Sequence, residues 1–160
     1  MVAYTTDAQS LDLAGFVARH GNAFLVQLSG ASQTTSPGVA VHTGSMRVMV
    51  YPIIRLPTSP ATREGISIGR IAGNDIVLKD DTLSKNQATF FVAKNNGPVT
   101  VLDEGSTNGT AVQGMPVQPR GKGEPTALTP GETLRCGTVT LSFVDAPGLI
   151  DYCRRFRGSY

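Results

Sequence analysis

Polar side chains suited to binding an anion are concentrated in three turn-rich segments between residues 65 and 114 of the 160-residue chain. The candidates are Arg70 in the first segment, Ser84 and Lys85 in the second, and Thr107 in the third. A guanidinium offers a planar fork of donors, an ammonium offers a point charge, and each hydroxyl offers one donor. This set is sufficient to bind one phosphate group, and it contains no evident catalyst.

Each of these residues also has an ordinary structural interpretation. In that interpretation Arg70 forms a surface salt bridge with Asp75 or Glu104. Ser84 is then a turn or cap residue, and Lys85 is a solvated surface charge. The residue types alone leave both interpretations open, so the elements that position the side chains must be considered next.

Short apolar segments with the length of β-strands separate the turn-rich segments. They lie at residues 76–78, 88–93, 99–102 and 110–112. Each segment is rich in β-branched or aromatic residues, as strands are. We expect these strands to hold the loops in place while the loops carry the polar side chains. Asn108-Gly109, just before the last segment, is by itself typical of a hairpin turn.

The rest of the chain is also predicted to be mainly β-structure. Further strands are expected at residues 24–28, 46–56, 126–128, 132–136 and 138–144. Pro52 predicts an edge or a bulge in the second of these strands, because proline has no amide donor. Residues 29–38 have the composition of a linker. Roughly ten short strands with frequent turns indicate a β-sandwich.

Short helices are predicted near both ends of the chain. Apolar residues at i, i+3 and i+4 indicate a helix over residues 10–19, with Ser10 as its N-cap and Gly21 at its end. The same spacing predicts a closing helix over residues 149–156. Residues 1–9 are polar and are expected to be loose.

Composition and charge argue against several classes of function. A net charge of +2 is too small to indicate non-specific nucleic-acid binding. No apolar segment approaches the roughly 20 residues that a membrane span needs, and no signal peptide is evident. Cys136 and Cys153 have no metal-type spacing, so neither a metal nor a cofactor is expected. We expect a cytoplasmic protein with reduced cysteines, although one disulfide is compatible with the sequence.

Several short motifs occur in a specific order and spacing over residues 65–144. The motifs are GR at 69–70, NDIVL at 74–78, SKNQ at 84–87, STNGT at 106–110, QG at 113–114 and PGETLRCG at 130–137. Each motif alone is weak, whereas all of them in this order are specific. On these residues the chain resembles the forkhead-associated (FHA) domain family.

The resemblance implies an all-β, FHA-type β-sandwich of about eleven strands, with loops at one end that bind a phosphothreonine peptide. In such a site Arg70, Ser84 and Lys85 contact the phosphate. Thr107 contributes to the same pocket, and Asn108 holds the peptide backbone beside the phosphothreonine.

Four residues are expected to support this site rather than to bind the peptide. They are Gly69, Asn74, Gln87 and Gly109. Gln87 stands where the family has a histidine that bonds within the loop scaffold rather than to phosphate. Glutamine also donates and accepts hydrogen bonds, but with a different shape and more rotamers. We therefore expect Gln87 to be a scaffold residue.

The division of the chain expected from these observations has three parts. An N-terminal extension over residues 1–44 packs on the main domain, the FHA β-sandwich covers residues 45–146, and a C-terminal helix covers residues 147–160.

The main functional hypothesis is a signalling adaptor that binds phosphothreonine peptides and recruits a phosphorylated protein, such as a Ser/Thr kinase or its substrate. The alternative is a phosphate-independent FHA-like scaffold or oligomerisation domain. An enzyme that uses Ser84 as nucleophile and Lys85 as base is disfavoured, because adjacent residues on a strand point to opposite faces. No nucleic-acid or membrane partner is expected.

Overall fold

The structure of the protein is a computed structural model that describes residues 2–29, 39–43 and 46–155. Twelve strands and three helices are found in this part of the chain. The strands are β1 (Ala23–Ser29), β2 (Val39–Thr43), β3 (Met46–Pro52), β4 (Ile66–Gly69), β5 (Ile76–Val77), β6 (Ala88–Val92), β7 (Val99–Asp103), β8 (Thr110–Val112), β9 (Met115–Pro116), β10 (Thr126–Leu128), β11 (Thr133–Cys136) and β12 (Val139–Asp145). The helices are α1 (Val2–Ser10), α2 (Leu13–His20) and α3 (Ala146–Arg155). Within the described ranges, none of the helices is long and apolar enough to cross a membrane.

The strands form two sheets. One has seven strands in the order β2-β3-β1-β12-β11-β8-β9, and the other has five in the order β10-β7-β6-β4-β5. Paired strands are antiparallel, except that β4 and β5 run parallel. The predicted all-β sandwich with short terminal helices is therefore confirmed.

A shared apolar core fills the space between the two sheets. Ile68 and Phe90 enter it from the five-stranded sheet, and Leu134 and Leu141 enter it from the seven-stranded sheet. All four side chains are fully buried. Burial of an aliphatic or aromatic side chain stabilises a fold by roughly 1.5–3 kcal/mol, so this core holds the loops at the ends of the strands in fixed positions.

A second apolar cluster lies between the three helices and the other face of the seven-stranded sheet. Alternation along β1 directs Leu25 into the core between the sheets and Phe24 into this second cluster. Phe16 of α2 and Leu149 of α3 are fully buried there. The terminal helices therefore cover one face of the sandwich.

Phe16→Ala is expected to lower the free energy of unfolding by roughly 3–5 kcal/mol, because it leaves a cavity in the second cluster. The Phe16 ring is 0% exposed and lies 6.4 Å from the Tyr4 ring and 6.3 Å from the Phe24 ring, between centroids. Urea unfolding followed by circular dichroism measures the change. Leu13→Ala on the same helix is the matched control, since Leu13 is 49% exposed. Equal stability of both variants would contradict the packing of α2 on the sheet.

The N-terminal segment is more ordered than the sequence indicated. The expectation that residues 1–9 are loose is wrong, because Val2–Ser10 is helical and buries Tyr4 and Ala8 in the second cluster. The predicted N-cap at Ser10 is also wrong. Asp12 caps α2 instead, and its Oδ1 accepts a hydrogen bond from the Gly15 amide at 2.8 Å.

The other element ends agree with the sequence more closely. Gly21 ends α2 as predicted, with a φ of 84°. Helix α3 begins at Ala146 rather than at residue 149, because Asp145 Oδ1 accepts a hydrogen bond from the Gly148 amide at 2.9 Å. Pro147 fits in this first turn, where an amide donor has no helical acceptor. Position 156 of the predicted helix lies outside the described residues.

Two predictions about strands are corrected. Strand β3 ends at Pro52 and lies between β2 and β1, so Pro52 occupies a strand end rather than an edge or bulge. Strands β2, β4 and β9 were not predicted. Most of the predicted linker, residues 30–38, lies outside the described residues.

The N-terminal extension predicted over residues 1–44 contributes an interior strand. Leu25 of β1 pairs with Phe143 of β12 on one side and with Tyr51 of β3 on the other. The boundary at residue 45 remains a prediction.

Candidate functional site

Three loops meet at one end of the sandwich. They are the β4–β5 loop (residues 70–75), the β5–β6 loop (residues 78–87) and the β7–β8 loop (residues 104–109). Ser84 connects all three, because its carbonyl accepts a hydrogen bond from the Arg70 amide at 3.0 Å and its Oγ accepts one from the Thr107 amide at 2.9 Å. The candidate residues of the three loops are therefore brought together.

The guanidinium of Arg70 is oriented by the neighbouring loop. Its Nε donates to the carbonyl of Leu83 at 3.2 Å, and the side chain is 38% exposed. One terminal nitrogen, Nη1, lies 3.9 Å from Oδ1 of Asp81. The alternative pairing of Arg70 with Asp75 or Glu104 is wrong. Those carboxylates bond elsewhere, Asp75 with Ser67 and Glu104 with Arg120.

Lys85 and Thr107 present their side chains to solvent beside Ser84. The Thr107 hydroxyl lies 3.5 Å from the Ser84 hydroxyl. The Lys85 ammonium forms no hydrogen bond or ion pair with any residue that the structure describes. The carbonyl of Lys85, in contrast, is held by the Asn74 side chain at 2.8 Å. The backbone of this residue is fixed, and its charge is available.

Asn108 is exposed and bonds within the site. Its Nδ2 donates to the carbonyl of Thr82 at 2.9 Å, which links the β7–β8 loop to the β5–β6 loop. Thr82 was not singled out in the sequence. Its hydroxyl accepts a hydrogen bond from the Thr138 amide at 3.1 Å, so it also connects the site to the β11–β12 turn.

Gly69 allows two loops to approach closely. A Cβ on Gly69 would lie 2.1 Å from the Lys85 carbonyl oxygen and 2.7 Å from Asn74 Nδ2. Asn74 is buried and also donates to the carbonyl of Ile71 at 3.0 Å. These contacts hold the β5–β6 loop against the end of β4.

Gly69→Ala is expected to destabilise the fold and to displace Lys85, because a Cβ contact of 2.1 Å with a backbone oxygen forces the loops apart. The measurements are the melting temperature and the amide chemical shifts of the β5–β6 loop. Ala127→Gly, at an exposed strand position, is a control for a change of the same size in a β-strand. Unchanged loop shifts in Gly69→Ala would show that the close approach is not required.

Gln87 is fully buried at the centre of the three loops. Its Oε1 accepts a hydrogen bond from the Ser84 amide at 2.9 Å. Its Nε2 donates to the Gly109 carbonyl at 2.9 Å and to Thr110 Oγ1 at 3.0 Å. Gly109, with a φ of 80°, adopts the left-handed backbone that the turn requires. The Gln87 side chain thus bonds to both the β5–β6 and the β7–β8 loops.

Asp103 braces the β7–β8 loop and was missed in the sequence. Its buried carboxylate accepts hydrogen bonds from the Ser106 amide at 2.8 Å, the Ser106 hydroxyl at 2.6 Å and the Thr110 hydroxyl at 2.6 Å. The sequence could have indicated this role, because Asp103 is an acidic residue at the end of an apolar strand and just before a turn. A buried carboxylate in that position must find donors nearby.

Two carboxylates next to the site are held in the ionised form. Burial alone would raise the pKa of Asp75, but hydrogen bonds from Ser59, Ser67 and the Leu56 amide outweigh it and lower the pKa. The hydrogen bond from Arg120 lowers the pKa of Glu104. At neutral pH both carboxylates are therefore ionised, and their hydrogen bonds hold the neighbouring loops in place.

The two cysteines are free and buried. Burial raises the pKa of the Cys136 thiol to about 12, and burial also raises the pKa of Cys153. Neither thiol is ionised at neutral pH. Among the described residues, no group of three or more His, Cys, Asp or Glu side chains is arranged to hold a metal ion.

A family model matches the part of the chain that contains the site. Residues 66–137 match the model described as FHA domain. This range includes all five candidate binding residues. No curated protein matches the chain.

Several solved structures are similar to this one. Full-length yeast Pml1p is 17% identical, covers 88% of this chain and 90% of its own, and has a TM-score of 0.52. A structure from work on phosphothreonine-dependent FHA domain interactions is 23% identical, with coverage of 76% and 95% and a TM-score of 0.47. The FHA domain of a Chlamydia trachomatis protein is 22% identical, with coverage of 77% and 97% and a TM-score of 0.48. Because the yeast protein is only 17% identical to this chain, its similarity supports the β-sandwich fold and nothing further.

Proposed function

We propose, because residues 66–137 match the FHA domain model, that the chain is a signalling module that binds phosphothreonine-containing proteins. Its binding surface is formed by Arg70, Ser84, Lys85, Thr107 and Asn108. FHA domains are interaction modules, so the proposed activity is recruitment rather than catalysis.

The observation that carries the proposal is the convergence of three loops on Ser84. The Arg70 amide and the Thr107 amide both bond to this residue, at 3.0 and 2.9 Å. Arg70, 14 positions before Ser84, and Thr107, 23 positions after it, therefore lie on one small surface with Ser84. Loops joined in this way present their donors without a large entropic cost of ordering when a ligand binds.

The chemistry of this surface matches a phosphate group. Arg70 has terminal guanidinium nitrogens at the surface, since its bond to Leu83 uses Nε. Lys85 adds an ammonium, and Thr107 and Ser84 add hydroxyls. A phosphothreonine carries a charge of about −1.5 to −2 and three acceptor oxygens, which these groups complement.

Within this proposal, Gly69, Asn74, Gln87 and Gly109 position the binding loops. The partner is a phosphothreonine protein, such as a Ser/Thr kinase or a substrate of one. A cytoplasmic location is part of the proposal and is supported by the free, buried Cys136 and Cys153.

The test begins with an oriented phosphothreonine peptide library, from which the strongest binder is selected. Titration calorimetry then compares that peptide with its unphosphorylated form. We expect measurable binding of the phosphorylated form and a loss of at least about tenfold without phosphate, because charged hydrogen bonds are removed. Equal affinities for the two forms would contradict the proposal and would favour a phosphate-independent scaffold.

A further inference from the structure

Asp81 projects into solvent at the tip of the β5–β6 loop. The turn that carries it is fixed, because the Leu83 amide donates to the Asp80 carbonyl at 3.1 Å. The Thr82 amide and hydroxyl also donate to Asp80 Oδ1, at 2.9 and 2.5 Å. The Asp80 carboxylate is thus engaged by the turn, whereas the Asp81 side chain is fully exposed. A fixed turn therefore presents one solvent-exposed carboxylate next to the candidate site.

Within the described part of the chain, Asp81 forms an ion pair with Arg70. Asp81 Oδ1 lies 3.9 Å from Nη1 of Arg70, the cation that the proposed function assigns to phosphate. A bound phosphate would engage Arg70 and Lys85, and Asp81 would lose its countercharge. The carboxylate would then face whichever residues of the bound peptide pass over the β5–β6 loop.

We propose, on the basis of the proposed function, that Asp81 selects phosphothreonine sequences that carry a lysine or arginine close to the phosphothreonine. The same carboxylate disfavours aspartate and glutamate at those positions. The partner of this module is therefore a protein phosphorylated at a threonine within a basic segment.

The size of the effect follows from the exposure of the carboxylate. Because an ion pair at the exposed surface is weak, one favourable basic residue is expected to improve affinity only roughly 1.5- to 5-fold. The preference should weaken as salt is added, because the interaction is screened at the surface. The Asp81 interaction therefore discriminates among phosphopeptides, whereas the phosphate group supplies most of the binding affinity.

The experiment compares positional preferences of wild type, Asp81→Asn and Asp81→Lys in an oriented phosphothreonine library with degenerate flanking residues. Wild type should enrich lysine and arginine at one or more flanking positions. Asp81→Asn should lose this enrichment, and Asp81→Lys should reverse it in favour of acidic residues. Asp151→Asn, an exposed acid on α3, is the matched control and should keep the wild-type preference.

Three other outcomes would overturn the inference. The first is phosphopeptide binding with no charge preference in wild type. The second is a preference that Asp81→Asn leaves unchanged. The third is an Asp81→Asn variant that binds all phosphopeptides more tightly without a change in preference, which would make Asp81 only a competitor for Arg70. In each of these cases the proposed function stands, whereas binding that is indifferent to phosphate would overturn both.

Discussion

Arg70→Ala is expected to weaken binding of a phosphothreonine peptide by at least about tenfold, the largest loss for any single binding residue. The substitution removes a charge and a fork of donors at once. A hydrogen bond to a charged group contributes roughly 1.5–3 kcal/mol, and each 1.4 kcal/mol corresponds to about a factor of ten in affinity. Titration calorimetry against the selected library peptide measures the loss.

Two further variants separate the effect of the fork of donors from the effect of charge. Arg70→Lys should recover only part of the affinity, because it restores the charge without the planar fork. Arg155→Ala, an exposed arginine on α3, should bind like wild type and controls for the change in net charge. An Arg70→Ala variant with wild-type affinity would exclude Arg70 as a phosphate ligand. Melting curves of all variants establish that each one is folded.

Gln87→Ala is expected to destabilise the protein by roughly 2–4 kcal/mol and to impair binding as a consequence. The side chain is fully buried, and its three hydrogen bonds reach the Ser84 amide, the Gly109 carbonyl and the Thr110 hydroxyl. Truncation leaves a cavity and an unpaired Ser84 amide, which costs about 1–3 kcal/mol unless water replaces the side chain, whereas the Gly109 carbonyl keeps the Gly137 amide and the Thr110 hydroxyl keeps Asp103. Urea unfolding measures the loss of stability, and calorimetry measures binding.

The controls for Gln87 separate support from direct contact. Gln118→Ala removes an exposed glutamine and should change stability by less than about 0.5 kcal/mol. Gln87→His should keep or improve phosphopeptide binding, because an imidazole also donates and accepts hydrogen bonds in the loop scaffold. Loss of binding in Gln87→Ala at unchanged stability would instead indicate that Gln87 touches the phosphate.

Most of the strands and the loop residues of the site were predictable from the sequence because their signals are local. Turn residues such as Asn108-Gly109 limit the backbone over a few positions, and short β-branched segments mark the strands between turns. The order of the turns then indicated that Arg70, Ser84 and Thr107 belong to one surface. Their bonds through Ser84 place them together in the structure.

Features that depend on tertiary packing were not predictable in the same way. Helix α1 has a weak apolar pattern and several residues of low helix propensity, and burial of Tyr4 and Ala8 stabilises it. The nearest acid to Arg70 was also missed. Asp81 reaches it only because the turn at Asp80 and Leu83 folds the loop back, and sequence separation gives no measure of that distance.

The position of β1 inside the seven-stranded sheet has a consequence for the edges of that sheet. Strands β3 and β12 each use one edge to pair with β1. A fragment limited to residues 45–146 would lack β1 and would expose unpaired amide and carbonyl groups along β12. A fragment limited to the matched residues 66–137 would lack β12 as well and would expose such groups along β11. Such open edges recruit other strands and promote aggregation. The smallest soluble unit that carries these loops therefore has to include residues 23–29, which lie far outside the recognisable motifs.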